Sequence, residues 1–129
     1  MTIRPHQFEA FEREARAEFE RRVLDHLRTD FADLIEGLSD PELRRRVWSA
    51  AARAGRYGLE SEYEVVLFLD VTFLTGDERF DENPAHGWAR EILSQDAPAE
   101  QRADELYDTA AAAFETVQGE SDRVENQAG

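Results

Sequence analysis

The chain has 129 residues, 41% of them hydrophobic, no cysteine, and a formal net charge of −14 from 29 acids against 15 bases, all of the latter arginine. That length suits one domain with a modest core, and the lack of cysteine excludes disulfides, thiolate metal sites and a cysteine nucleophile. A field of this sign opposes nucleic-acid phosphates and anionic membranes; it serves solubility or attracts basic partners.

In chain order, no alternating strand pattern survives and helical spacing recurs. From about Pro5 to Arg28, Phe8, Phe11, Ala15, Phe19, Val23 and Leu27 form one apolar stripe between charged residues, the mark of an amphipathic helix that needs a partner face. Phe31 to Gly37 reads as a short second helix stopped by glycine. In "SDPEL", Asp40 as N-cap, Pro41 and Glu42 start a third helix that runs to about Ala54 before "GRYG" breaks it. "SEYE" is a capping box from Ser61 to Glu64. It opens a helix over Val65–Leu74 whose large apolar residues point all round the wheel, as in the central helix of a bundle. Asn83-Pro84 restarts a helix through Leu93, and a last helix from about Ala99 to Val117 places Leu106, Tyr107, Ala110, Ala113, Phe114 and Val117 on one side.

"FDENPAHGWAREIL", Phe80 to Leu93, has the residue types of a site. An EF-hand count from Asp77 puts Arg79, Asn83 and Trp88 where oxygen ligands belong, and His86 has no second histidine at helical spacing, with His6 and His26 far upstream. Capping and the helix dipole account for Asp81, Glu82, Asn83 and Pro84, so the stretch reads as a helix start with Trp88 and Leu93 on its buried side. Asp70 falls among Tyr63, Val66, Phe73 and Leu74 on the wheel, where a carboxylate must be paired, hydrogen-bonded or protonated. It is a structural ion pair, a general acid/base or a partner contact. No catalytic or nucleotide-binding motif accompanies it, so the chain is not expected to be an enzyme and no cofactor is implied. "ELRRRVWSAAARAGRYGLESEYEV" mimics a helix-turn-helix, but the supposed recognition helix would lead with Glu60, Glu62 and Glu64, which phosphates repel.

Tyr57-Gly58, the acidic turn Glu60 to Glu64, the apolar helix Val65–Leu74, Gly76, "FDENP" from Phe80 to Pro84, "WAREIL" from Trp88 to Leu93 and the helix with Leu106 and Tyr107 together resemble a family of small all-helical bacterial proteins. These are encoded beside type VI secretion spike and effector genes. The resemblance implies an adaptor or chaperone for a secreted effector, or an immunity protein against one, and it carries over no site residues.

The expected fold is therefore all-α, a single-domain bundle of five or six helices around the apolar helix at about 61–75. Residues 1–118 form the domain and 119–129 a disordered tail. The expected function is non-enzymatic protein binding, with Trp88, Tyr57, Tyr63 and Asp70 as candidate partner contacts for a basic toxin or spike surface, and no role for nucleic acid or membrane. With no apolar core of signal-peptide length in "MTIRPHQFEAFERE", a cytoplasmic location is expected. The alternative is a self-associating structural protein, dimerised through the first helix.

Overall fold

The computed structural model describes the backbone of residues 13–128 and the side chains of residues 13–119; Phe8, Phe11 and His6 of the expected first helix lie outside the described residues. Among the described residues five α-helices carry the fold: α1 (Arg13–Asp30), α2 (Asp40–Arg56), α3 (Glu62–Leu74), α4 (Gly87–Leu93) and α5 (Ala99–Ala128), with a 3-10 turn at Pro84–His86 before α4. Among the described residues there is no strand, and the all-α expectation holds. The chain divides into two compact units, up to Val47 and from Trp48, with the boundary inside α2.

In the first unit, α1 buries Phe19, Val23, Leu24 and Leu27, and α2 buries Leu43 and Val47. From Phe19 onward, the stripe that a dimer partner would need is thus already covered within the chain. Glu20 pairs with Arg44 at 3.0 Å and Arg28 with Asp40 at 2.8 Å, a crossed order that runs the two helices antiparallel. The expected helix over 31–37 is instead a series of turns. Phe31 O accepts from both Leu34 and Ile35, and Leu38 donates to Ile35 O, so the segment reverses direction before a helical ladder is established. The N-cap of α2 is Ser39, not Asp40: Ser39 Oγ accepts the Glu42 N–H at 3.3 Å, which frees Asp40 for Arg28.

The second unit is built on α5, against which both α3 and α4 pack. The capping box of α3 is formed as read, with Ser61 Oγ accepting from Glu64 N–H and the Glu64 side chain reaching back to the N-cap backbone. Val65, Phe68, Leu69, Val71 and Phe73 are buried around its circumference. Burying each such large side chain contributes about 1.5–3 kcal/mol. The core continues through Leu59, Phe80, Ala89, Ile92, Leu93, Ala103, Leu106 and Ala110. Asn83 and Pro84 begin the 3-10 turn, and the α-helix itself starts only at Gly87. α5 continues to Ala128, past Val117 where the sequence periodicity ends.

α2 and α3 terminate in the same way. Leu59 N–H bonds back to Ala54 O and Gly58 N–H to Gly55 O; Asp77 N–H bonds to Thr72 O and Gly76 N–H to Phe73 O. These are Schellman motifs, which require a left-handed residue at the position Gly58 (φ 78°) and Gly76 (φ 68°) occupy. An added Cβ at Gly76 would meet nothing within 4 Å and at Gly58 only ordinary contact with Arg102, so the cost of a side chain is backbone strain. Gly58→Ala and Gly76→Ala are each expected to lower the unfolding free energy by about 1–2 kcal/mol. Gly55→Ala, in helical backbone with open space around it, is expected to raise it by about 0.5–1 kcal/mol. Urea denaturation of the three variants checks the sign as well as the size.

Candidate functional site

The loop between α3 and α4 is fastened to the end of α2 by a buried ionic network. Phe80 and Asp81, adjacent in the loop, both turn inward. Phe80 packs on Phe68 at 4.8 Å between ring centroids, and Phe68 stacks on Tyr57 at 6.3 Å. Asp81 (2% exposed) forms an ion pair with Arg53 (5% exposed). Its second carboxylate oxygen accepts the Tyr57 hydroxyl at 3.0 Å, and Arg53 Nη1 donates to Glu78 O. Burial pushes the Arg53 guanidinium below its ordinary value, yet an arginine stays cationic, so Asp81 provides the charge compensation the site requires. The reading of Asp81 as a helix-start acid is therefore corrected: α4 begins too far downstream, and the carboxylate is occupied by Arg53 and Tyr57.

The rest of the loop is held by short-range bonds. Asp77 accepts from Arg79 N–H at 3.0 Å and from the Asn83 amide at 2.8 Å, while Asn83 Oδ1 accepts from Ala85 N–H at 2.9 Å. The Asn83 bond holds the Asp77 carboxyl below its ordinary value against the opposing effect of burial, with lesser help from the Arg79 N–H bond and the nearby His86 and Arg53. His86 Nε2 lies 3.5 Å from Asp77, and its ring meets Trp88 edge-on at 6.2 Å. Arg102 on α5 closes the unit. Its Nη1 donates to Tyr57 O at 2.8 Å and Leu93 O at 2.9 Å, and its Nε donates to Ala97 O at 2.9 Å. One cation thereby serves the carbonyl-rich, negative ends of both α2 and α4.

The surface feature with partner chemistry is at the other side of α3. Tyr63, in its first turn, is 51% exposed, and its hydroxyl donates to Asp104 on α5. Glu100, Asp104 and Asp108 recur at four-residue intervals, which puts them on one flank of α5. The Asp104 bond first, then a small burial effect and the charges of Asp104, Glu100 and Asp108, push the Tyr63 phenol up to about 12. The edge therefore presents an un-ionised aromatic ring among three carboxylates.

The four residues singled out in the sequence are not brought together. Tyr63 is exposed on this edge. Trp88 is half-buried beside His86. Tyr57 is half-buried, with its hydroxyl committed to Asp81. Asp70 is buried at 3% exposure and engaged within the fold, so as folded it offers a partner no surface. Sequence reading missed Arg53, Asp81 and Arg102 as organisers; the one available signal was an arginine in the alanine-rich stretch "AAARAG". Among the described residues, no group of three or more His, Asp or Glu side chains could hold a metal ion.

Asp81→Asn leaves Arg53 buried without its counter-charge, and is expected to cost about 3–5 kcal/mol of stability, while Tyr57→Phe costs about 1 kcal/mol. Denaturation midpoints of the two variants rank them. The folded-state value of Tyr63 is raised above its ordinary 10.0, so the stabilisation from its bond is present below that pH and is lost as pH rises through about 12. A spectrophotometric tyrosine titration should show one late-ionising phenol, and Asp104→Asn should move it back toward the ordinary value. No protein-family model, curated protein or solved structure matches the chain.

Proposed function

We propose that this chain is a non-catalytic, acidic helical binding protein that handles a basic surface of a bacterial secreted effector, as an adaptor or chaperone or as an immunity protein. The observation that carries the reading is the exposed Tyr63 ring set among Glu100, Asp104 and Asp108. Carboxylates at that spacing steer a cationic surface and fix its register. A tyrosine face beside them accepts a guanidinium or ammonium by cation–π attraction, about 0.5–2 kcal/mol depending on desolvation. The net charge of −14 extends the attraction over the whole molecule. The family resemblance supplies the effector context.

No described helix is long and apolar enough to cross a membrane, and in this reading the protein acts in the bacterial cytoplasm before its partner is exported. Adaptor and immunity roles differ in what the complex does. An immunity protein covers a toxin's active site and rescues a cell that makes the toxin; an adaptor joins effector to spike and leaves the producer viable when it is lost.

The test is capture from the source bacterium with the tagged chain and with a Glu100→Gln/Asp104→Asn/Asp108→Asn variant, at low and raised salt. The expected prey is a secretion effector or spike component, held by the parent protein and released by the variant and by salt. A prey retained equally by both proteins, or none at all, overturns the reading.

A further inference from the structure

We draw no further inference here: the strongest candidate, the exposed end of the apolar stripe on α5 around Val117, is an unpartnered helix face and nothing in the structure shows what covers it.

Discussion

The Arg53–Asp81 ion pair is the constraint on which the second unit depends. It joins three segments that would otherwise be independent: the end of α2 through Arg53 and Tyr57, the loop after α3 through Glu78 O and Asp81, and the aromatic core through Phe80 beside Asp81. A buried pair of this kind adds little net stability over a packed apolar pair, but breaking it is costly. Its effect is selection among arrangements: any register in which Phe80 stays in the core and Asp81 misses Arg53 leaves a buried charge uncompensated. The loop is consequently held in one conformation with no strand among the described residues.

The same economy explains the arginine-only basic complement. Arg53 and Arg102 act within the fold, one on a carboxylate and a carbonyl, the other on three carbonyls at two helix ends and a loop. A planar guanidinium with several donors suits such roles better than a lysine ammonium. Many surface arginines also pair locally: Arg44 with Glu20, Arg45 with Glu42, Arg79 with Glu82. Such exposed pairs add little to stability, but they cancel charge where they form. The excess of acids is therefore uneven, and along α5 past Arg102 nothing basic offsets it as far as Gly119.

Helix type and the caps were legible in the sequence because they depend on near neighbours. The Ser61–Glu64 capping box, the Asn83-Pro84 start and the all-round burial of α3 are local patterns with local causes. The burial of Asp70 followed from its place on the wheel. What failed was either a competition between neighbours, as when Ser39 took the cap from Asp40, or a contact across the chain. Arg53 and Asp81 are separated by the whole of α3 and the turns on either side of it, and nothing at either position marks the other. Tyr63 was readable as a candidate contact, but its carboxylate neighbours on α5 become visible only when α3 is laid along that helix.

Binding surfaces built on packed helices lose less entropy on association than surfaces on loops. The Tyr63 ring is restrained by its hydroxyl bond to Asp104 before any partner arrives, and Asp104 is in turn carried by a helix that α3 and α4 both brace. A cation approaching this edge meets a fixed aromatic face and fixed charges, not side chains that must first be ordered.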